Sequence, residues 1–480
     1  MQKLKNYINA SFQDAVNQQV ISVFEPATAQ VFATIPNSDK ADVALAVAAA
    51  KAAFPAWSKT DLETRHDFLM KISDAILSRL DEFAAAESRD NGKPIWLAKQ
   101  VDIPRAAQNF KFFATAIMQF ASESHEMPNE ALNYTLRKPI GVVGCISPWN
   151  LPLYLFTWKI APALAAGNCV IAKPSEVTPY TSYLLSTICE EVDLPKGVLN
   201  ILHGDGLSCG KAIVEHPEIK AISFTGSTRA GRDIAAIAAP MFKKMSLELG
   251  GKNPVLIFDD CNYEEMLATT VQSSFRNQGQ ICLCGSRIYV EKSIYEKFKN
   301  DFIARVKQLK VGDPNHVDSQ QGAIVSKVHF EKIMHHIELA KVEGGVLLCG
   351  GKSVKIEGRC SEGWFVEPTV FEGLSNACKT NQEEIFGPVV TIQSFDNEED
   401  ALQKANDIDY GLAAVVWTEN LRKAHRLANN LETGIVWVNC WMLRDLRTPF
   451  GGVKQSGIGR EGGWEALRFF TETKNVTVKY

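Results

Sequence analysis

The first 120 residues carry apolar side chains at intervals of three and four positions, which lines up one apolar face on a helix. This spacing predicts helices over the alanine-rich stretch Asp39–Trp57 and over Asp61–Ser88. It predicts a third helix after Pro104, a residue suited to an early helical position. The apolar face of that third helix is formed by Phe110, Phe113, Ile117 and Phe120.

From Gly141 onward, short apolar runs alternate with helix-like stretches. The predicted strands are Gly141–Ile146, Asn168–Ala172, Gly197–Leu202 and Lys220–Thr225, and the predicted helices are Thr178–Val192, Gly206–Glu215 and Ala230–Ala239. A strand–helix repeat of roughly 25 to 30 residues is typical of βαβ units in a mainly parallel sheet. Ligands bind such sheets at the carboxyl ends of the strands.

A second alternating region starts at Pro254–Phe258 and continues to about Phe450. It contains the predicted elements Ser286–Glu291, Tyr295–Gln308, Val389–Phe395, Gly411–Trp417, Asn420–Asn430 and Gly434–Asn439. The region is long enough for an α/β domain of its own, so the fold class is α/β with two such domains.

Two strand-like segments, Met127–Lys138 and Asn475–Tyr480, fit neither α/β region. An unpaired edge strand tends to pair with another chain, so these segments are candidates for contact with a partner subunit. The alternative is a hairpin packed on its own domain.

Composition narrows the class of protein. The chain has 480 residues, of which 46% are hydrophobic and 22% charged, and a net charge of −4. It therefore lacks the basic character of a nucleic-acid-binding protein. Eleven cysteines form no C-x-x-C pair, which argues against zinc and against a disulfide framework. No apolar run reaches membrane-spanning length and no signal peptide is visible, so we expect a cytoplasmic, metal-free enzyme.

One thiol and one carboxylate are candidates for catalysis. Cys282 follows the glycine-containing turn Asn277–Gln280 and precedes a predicted strand, and Glu248 lies between apolar residues and glycines in Leu247–Lys252. A thiol nucleophile and a carboxylate base suffice to form a thioester and hydrolyse it. Taken alone, a cysteine beside apolar residues is by default a small buried hydrophobe.

Two strand ends carry residues suited to a nucleotide. Gly226 and Ser227 lie where a predicted strand gives way to a helix, a junction that binds anions. Lys173 and Glu176, on either side of Pro174 and Ser175, could hold ribose hydroxyls, and the carboxylate would favour NAD over NADP. The alternative for Gly226 and Ser227 is an ordinary turn. The alternative for Lys173 and Glu176 is a helix start capped by Ser175.

Two further segments end in turns with chemically useful side chains. Asn150 lies between Pro148 and Pro152, which fix the backbone so that the amide could face a developing oxyanion. Glu384 and Phe386 precede a Gly-Pro pair and could contact a ribose and a planar ring. The alternative for Asn150 is a rigid turn, and the alternative for Glu384 and Phe386 is a simple helix C-terminus.

Seven segments together resemble the aldehyde dehydrogenase superfamily, in the family's order and over essentially the whole chain. They are Ser147–Asn150, Lys173–Glu176, Phe224–Ser227, Leu247–Lys252, Gln280–Cys282, Glu383–Pro388 and Pro449–Glu461. The resemblance implies two Rossmann-like parallel-sheet domains and oxidation of an aldehyde to a carboxylic acid.

The resemblance also implies roles for individual residues. Cys282 would be the nucleophile, Glu248 the general base, Asn150 an oxyanion donor and Glu461 a second acid for proton relay. NAD would be the cofactor, with contacts from Ser147, Trp149, Lys173, Ser175, Glu176, Gly206, Phe224, Gly226, Ser227, Leu249, Gly250, Glu384 and Phe386.

The family organisation implies three parts. Residues 1–120 and 139–250 would form the NAD-binding domain, and residues 251–455 the catalytic domain. Residues 121–138 and 465–480 would form a β-ribbon that joins subunits, so a homo-oligomer, either a dimer or a homotetramer, is expected.

Local segments around residues 102–105, 280–284 and 439–444 resemble the 2-aminomuconic and 2-hydroxymuconic semialdehyde dehydrogenases. Their substrates carry a carboxylate remote from the aldehyde, and arginine suits carboxylate recognition. Arg105 and Arg444 are therefore candidate substrate clamps, with Arg447 in reserve, and Trp158 and Phe450 are further candidate substrate contacts. The alternative is that either arginine forms only a surface ion pair.

Other substrates and classes stay open. An aromatic funnel of Trp149, Phe156, Trp158, Phe275 and Trp441 would suit betaine aldehyde through cation–π contacts, although two arginines at its mouth disfavour a cation. A broad-specificity aldehyde dehydrogenase, an enzyme that transfers the acyl group to coenzyme A, and a non-catalytic NAD-binding homologue are the remaining alternatives.

Overall fold

The computed structural model describes residues 1–480 and is built on two large sheets. The first sheet has eight strands, in the order Gly457–Ile458, Lys244–Glu248, Ile219–Thr225, Val142–Ile146, Cys169–Lys173, Leu199–Ile201, Asn6–Ile8 and Ser11–Gln13. Its five central strands, from Lys244–Glu248 to Leu199–Ile201, are parallel. They are buried along almost their whole length, as parallel strands covered on both faces should be.

The second sheet has seven strands. Their order is Val346–Cys349, Thr369–Glu372, Val389–Phe395, Gly285–Glu291, Asn253–Ile257, Ala413–Trp417 and Ile435–Val438. All neighbouring pairs are parallel except the first. The prediction of an α/β fold with parallel sheets is therefore confirmed.

Helices cover both sheets. The α-helices are Lys40–Trp57, Leu62–Ser78, Leu80–Asn91, Ile95–Leu97, Ile103–Ile117, Pro152–Ala165, Tyr180–Glu191, Lys211–Glu215, Thr228–Ala238, Tyr263–Phe275, Tyr295–Val306, Lys327–Val342, Lys379–Gln382, Glu398–Asn406, Leu421–Asn430 and Gly463–Phe469. Single turns of π-helix occur at Ala98–Asp102 and Gly206–Gly210, and 3₁₀ turns at Ala239–Met241, Arg276–Gly279, Lys292–Ile294 and Gly358–Cys360.

Smaller sheets complete the fold. A three-stranded sheet joins Gln2–Lys3, Gln30–Pro36 and Val20–Glu25, and two-stranded pairs join Ser353–Val354 with Phe365–Val366 and Tyr410–Gly411 with Val453–Lys454. None of the helices combines the length and the hydrophobicity that a membrane span requires.

The predicted helix Asp61–Ser88 is wrong in one respect, because it is two helices that meet at Arg79. The Arg79 backbone leaves helical geometry, and its guanidinium donates to Glu82, Thr187 and Glu191. Apolar periodicity continues through the break, so the pattern alone could not reveal it.

The two unassigned segments form a separate ribbon. Ser124–Met127 and Ala131–Pro139 make a hairpin, and Thr471–Lys479 pairs antiparallel with Ala131–Pro139 along its full length. The predicted strand Met127–Lys138 thus contains a turn at its start. The outer strand Thr471–Lys479 is largely exposed and has no neighbour on its other edge.

The two large sheets meet end to end at the predicted site residues. The segment Leu249–Lys252 runs directly from the carboxyl end of strand Lys244–Glu248 to the amino end of strand Asn253–Ile257. Carboxyl ends in the first sheet therefore face amino ends in the second, and a cleft forms between them.

Candidate active site

Nine of the predicted site residues line one cleft of about 230 Å³ between the sheets. The lining residues are Pro148, Trp149, Asn150, Thr225, Gly226, Ser227, Leu249, Gly250, Cys282, His329, Lys332, Glu384 and Phe386. Segments far apart in sequence thus converge on the thiol of Cys282.

Cys282 is held by an unusual turn. Asn277 and Gln278 both adopt left-handed backbone conformations, with φ of 54° and 56°. Gly279 follows with φ of 68°, and a Cβ there would lie 2.2 Å from the Gly387 carbonyl oxygen, so only glycine fits. After the turn, Asn253 Nδ2 donates to the carbonyls of Cys282 at 2.7 Å and Cys284 at 2.9 Å. These contacts fix the half-buried thiol at the amino end of strand Gly285–Glu291.

The electrostatic setting of this thiol disfavours its thiolate form. Burial raises the pKa of Cys282, and the carboxyl groups of Glu384 and Glu248 raise it further, while Arg444 opposes them. A thiolate is the reactive form of a cysteine, so a positive charge brought into the cleft would activate it.

Glu248 ends strand Lys244–Glu248 and is almost fully buried. Both of its carboxyl oxygens lack a hydrogen-bond partner, which leaves them free for a water or a substrate group. Burial raises the pKa of Glu248 well above its usual range, and Glu461 raises it further. A carboxyl shifted upward in this way approaches the range in which a general base works at neutral pH.

Glu461 is tied into a buried polar network. Its Oε1 accepts from Lys159 Nζ at 2.7 Å and from Ser223 Oγ at 3.1 Å. Lys159 Nζ also donates to Ser223 Oγ at 3.2 Å. Glu461 therefore lies close enough to influence Glu248, but it is held by Lys159 rather than by Glu248.

Asn150 lies at the cleft and faces the segment that carries the thiol. Its Nδ2 donates to the Gln280 carbonyl at 3.0 Å, two residues before Cys282. The side-chain amide is thus placed beside the nucleophile, as an oxyanion donor must be.

One wall of the cleft is suited to a phosphate group. Ser227 caps helix Thr228–Ala238, and its Oγ accepts from Ala230 N at 3.2 Å. Phe224 packs beneath Gly226, where a Cβ would lie 2.4 Å from the Phe224 ring, and Leu249 packs on Gly231. The helix N-terminus is therefore open to an anion, with glycines that permit a close approach.

The opposite wall is formed by Glu384 and an aromatic group. Glu384 Oε1 accepts from Gly251 N at 2.8 Å, and burial raises the pKa of this carboxyl. Phe386 adopts φ of 62° and meets Trp149 edge to face, with ring centroids 5.2 Å apart.

The sequence interpretation did not single out His329 or Lys332, which also line this wall. His329 Nε2 contacts the Phe386 carbonyl at 2.7 Å, and burial lowers the pKa of the imidazole to about 4. Lys332 Nζ donates to the Glu384 carbonyl at 2.9 Å. Both residues come from one face of helix Lys327–Val342, three positions apart, and no local motif marks them.

A second group of predicted cofactor residues lies outside the lining of the cleft, at the end of the adjacent strand Cys169–Lys173. Lys173 Nζ donates to Glu176 at 3.2 Å, and Ser175 Oγ accepts from Val177 N at 3.2 Å. Gly206, which is exposed, opens the neighbouring π-helical turn. Ser147 is buried with an unpaired hydroxyl. The structure thus separates one predicted cofactor set into two neighbouring groups.

The two predicted clamp arginines share one aromatic pocket. The Arg105 guanidinium carbon lies 5.2 Å from the Tyr154 ring centroid and 5.7 Å from that of Trp158. The Arg444 carbon lies 5.5 Å from Trp158 and 3.9 Å from Phe450. Arg444 Nη1 also donates to Tyr154 Oη at 2.9 Å. Tyr154 thereby joins the two cations, a role that the sequence interpretation missed.

Neither of these arginines forms an ion pair. Arg105 Nε donates to Asn109 Oδ1 at 3.3 Å, and its Nη2 is buried without a partner. The nearby carboxylate of Asp445 is instead paired with Arg447, whose side chain is 80% exposed. Arg447 is therefore a surface residue, and two partly buried guanidinium groups remain without an ion pair at the pocket.

The predicted aromatic funnel is only partly present. Phe156 and Phe275 are 1% exposed and belong to the hydrophobic cores of the two sheets, not to the cleft. Trp441 is buried with its indole N–H on the Leu283 carbonyl. Cys284 is also packed in the core of the second sheet, where burial raises the pKa of its thiol to about 12.

With this geometry established, comparison with known proteins assigns the fold to a family. The family model described as "Aldehyde dehydrogenase family" matches residues 12–476. This chain belongs to the aldehyde dehydrogenase family. The match covers the cleft and nearly all of both large sheets and of the ribbon.

Individual relatives agree with this assignment. A 2-aminomuconic semialdehyde dehydrogenase from Bos taurus is 47% identical over 480 residues, covering 99% of this chain and 98% of the relative. A 2-hydroxymuconic semialdehyde dehydrogenase from a Pseudomonas strain is 44% identical, with full coverage of both chains. An NAD⁺ complex of a Bacillus cereus aldehyde dehydrogenase superposes with a TM-score of 0.97 at 37% identity, covering 100% of this chain and 97% of the other.

The family and these relatives support NAD-dependent oxidation of an aldehyde by this chain. The residues present fit the cofactor. An open helix N-terminus at Ser227 suits a pyrophosphate, and the Lys173–Glu176 pair suits a ribose without a 2′-phosphate. The predictions of fold, family, enzyme class and cofactor are confirmed.

Proposed function

We propose that this aldehyde dehydrogenase oxidises a semialdehyde that carries a carboxylate remote from its aldehyde group, such as 2-aminomuconic or 2-hydroxymuconic semialdehyde. The observation that carries the proposal is the uncompensated pair Arg105 and Arg444. Two guanidinium groups in an aromatic pocket with no acidic partner are costly unless an anion completes the site. A substrate carboxylate supplies that anion with bidentate geometry.

The relatives strengthen this choice, since both are named for muconic semialdehydes. The electrostatics of the cleft also suit an anionic substrate. Arg444 lowers the pKa values of both Cys282 and Glu248, so its charge reaches the reacting groups. A trimethylammonium aldehyde, the main alternative, would meet aromatic faces that the two guanidinium groups already occupy.

The first half of the proposed mechanism forms a thioester. Cys282 passes its thiol proton to Glu248 and attacks the aldehyde carbon as a thiolate. The oxyanion of the resulting hemithioacetal accepts a hydrogen bond from Asn150 Nδ2 and from the Cys282 backbone N–H. NAD, when bound, supplies the acceptor for the hydride that leaves this carbon. Glu384, Phe386 and Leu249 line the cleft and would hold the nicotinamide when NAD is bound.

The second half hydrolyses the thioester. Glu248 removes a proton from water as the water attacks the acyl carbon, and the carboxylic acid leaves as Cys282 is regenerated. Glu461, which accepts a hydrogen bond from Lys159 Nζ at 2.7 Å, is the group proposed to take the proton onward from Glu248. The carboxyl group at position 248 favours water over coenzyme A as acyl acceptor; rapid acyl transfer to added coenzyme A would contradict this assignment.

The proposal extends to the assembly. Residues 1–120 and 139–250 are assigned to the NAD-binding domain, residues 251–455 to the catalytic domain, and residues 121–138 and 465–480 to a joining ribbon. The exposed, unpaired edge of Thr471–Lys479 supports a homo-oligomer, a dimer or a tetramer. All eleven cysteines are free, which supports a reducing, cytoplasmic location.

A substrate comparison tests the proposed specificity. The purified enzyme is supplied with NAD and with three aldehydes of matched length: one with a terminal carboxylate, one uncharged and one with a trimethylammonium group. Formation of NADH gives kcat/KM for each. The proposal expects the carboxylate substrate to be preferred by at least an order of magnitude. Equal values for the first two would exclude an anion clamp, and preference for the third would favour betaine aldehyde.

A further inference from the structure

A lysine with no contact to solvent lies behind the oxyanion-binding amide. Lys93 and Glu87 are 0% exposed, and Asp102 is 2% exposed. Lys93 Nζ donates to Asp102 and, at 3.2 Å, to Glu87 Oε1. Burial alone would lower the pKa of Lys93, but the two carboxylates outweigh it and raise the pKa above its usual value. The ammonium form of Lys93 is therefore favoured although the side chain is buried.

Such a cluster is a poor way to gain stability. The attraction between buried charges recovers little of the free energy lost when they leave water. Buried ion pairs can therefore often be replaced by apolar residues without loss of stability. Buried polar networks are better explained by the single arrangement that they impose on their surroundings. Lys93 is therefore best explained by the neighbouring group that it orients.

The lysine points to the main chain of Asn150. Lys93 Nζ donates to the Asn150 carbonyl at 3.3 Å. The same carbonyl oxygen accepts from Asn277 Nδ2 at 3.0 Å and from Asn91 Nδ2 at 3.3 Å. A carbonyl oxygen has two lone pairs, so three converging donors exceed what satisfying it requires. The main chain at Asn150 is consequently fixed from three sides.

The same contacts reach the segment that carries the nucleophile. Asn277 Nδ2 also donates to the Gln280 carbonyl at 3.2 Å, and that carbonyl accepts from Asn150 Nδ2 at 3.0 Å. Glu87 uses its other oxygen to accept from Leu153 N at 3.3 Å, at the start of the helix that follows Asn150. The cluster of Lys93, Glu87 and Asp102 therefore bonds the main chain at Asn150 and at Leu153.

The element that supplies Asp102 is itself unusual. Asp102 ends the π-helical turn Ala98–Asp102, and helix Ile103–Ile117 continues from it to Arg105. Single π-turns are frequent at functional sites, where they displace a side chain that a regular helix would place elsewhere. Here the turn brings a carboxylate to Lys93 three residues before the clamp arginine.

We propose that Lys93, held by Glu87 and Asp102, is a positioning residue that fixes the Asn150 turn so that its side-chain amide faces the oxyanion on the Cys282-bound carbon. The inference rests on the proposed oxyanion role of Asn150. Catalytic groups need placement within about half an ångström, which a single backbone hydrogen bond does not secure. Lys93 touches neither the substrate nor the cofactor and acts only through Asn150.

A double-mutant cycle tests this dependence. Lys93→Met is made in the natural background and in the Asn150→Ala background, and kcat/KM for aldehyde oxidation is measured in all four proteins. Asn150→Ala alone should lower kcat/KM about 10²- to 10³-fold. Lys93→Met alone should lower it by roughly one order of magnitude, but by less than about twofold when Asn150 is already replaced. The Kd for NAD should stay the same throughout.

The isosteric variant Asp102→Asn, measured in the same two backgrounds, provides a second route if Lys93→Met folds poorly. Lys243→Met is the matched control, because Lys243 is also buried and donates to the backbone carbonyls of Val214 and His216, away from the cleft. We expect it to lower the melting temperature without changing kcat/KM.

The outcomes distinguish the proposed role of Lys93 from the proposed role of Asn150. If the losses from Lys93→Met or Asp102→Asn multiply with that from Asn150→Ala, the cluster supports only stability and the inference is overturned. If Asn150→Ala leaves kcat/KM unchanged, the proposed oxyanion role itself fails, whatever Lys93 does.

Discussion

Replacing Arg444 by methionine separates the binding of the substrate carboxylate from the chemistry of the aldehyde. The guanidinium carbon of Arg444 lies 3.9 Å from the Phe450 ring centroid, and Nη1 donates to Tyr154 Oη at 2.9 Å. Methionine keeps an apolar stem against the two aromatic rings and removes only the charge and the donors. Arg444→Met therefore tests charge recognition with little change in packing.

The expected magnitude follows from the number of contacts. A hydrogen bond to a charged group contributes about 1.5–3 kcal/mol, which corresponds to roughly a 10- to 150-fold loss in kcat/KM for the carboxylate substrate. Arg105 remains in the pocket, so the loss should not exceed this range. Arg444 also lowers the pKa of Cys282, and removing it slows every substrate to the same extent. The informative quantity is therefore the ratio of kcat/KM for the carboxylate substrate to that for an uncharged aldehyde of the same length.

The assay follows NADH formation with both substrates at fixed pH, in the natural enzyme, in Arg444→Met and in Arg447→Met. Arg447 is the matched control, because its side chain is 80% exposed and paired with Asp445. A surface pair of this kind contributes about 0–1 kcal/mol, so the ratio should be unchanged within a factor of a few. An unchanged ratio in Arg444→Met, with a fall in both substrates alike, would refute the clamp.

Three further predictions concern the chemistry and the cofactor. Glu248→Gln should form the acyl-enzyme and fail to hydrolyse it, so mass spectrometry after addition of substrate and NAD should show an adduct on Cys282; an unmodified mass would contradict the role of the base. Burial raises the pKa of Cys282, so its alkylation in the free enzyme should be slow at neutral pH and rise as pH increases past the ordinary thiol range, and a rate already maximal at neutral pH would be inconsistent. Glu176→Ser should improve kcat/KM with NADP relative to NAD, because the carboxylate that repels a 2′-phosphate is removed, and an unchanged cofactor preference would argue against this contact.

The strands were the most predictable part of the fold. Val389–Phe395 is predicted and observed with the same ends, because a segment rich in β-branched and apolar residues is bounded by Pro388 and Asp396. Helix ends were less predictable where tertiary contacts decide them. The break at Arg79 depends on Glu191 and Thr187, more than a hundred residues away in sequence.

Site residues also differ in how far the sequence could predict them. Glu248 and Asn150 lie at or just after the carboxyl ends of parallel strands, where ligands bind, so their place at the cleft could be predicted. Cys282 precedes the amino end of its strand and was indicated only by its glycine-containing turn and by the family resemblance. Tyr154 and Lys93 could not be predicted, since a tyrosine within an apolar helix reads as core and lysine is expected at the surface. Only the tertiary structure shows that Tyr154 contacts two cations and that Lys93 contacts a carbonyl at the site.

The connection between the sheets bears on how the two half-reactions are ordered. Glu248 and Cys282 are carried by different sheets, yet Asn253 bonds both the Cys282 and Cys284 carbonyls, and Leu249 N donates to the Ser456 carbonyl at 2.9 Å. A Cβ on Gly251 would lie 2.7 Å from the Cys282 carbonyl oxygen, so the connecting segment packs directly on the nucleophile loop. The base and the nucleophile therefore share one rigid frame, and moving one relative to the other would break several buried hydrogen bonds. We infer that the change from thioester formation to hydrolysis depends on what occupies the cleft, and that water would reach Glu248 once the nicotinamide side is vacated.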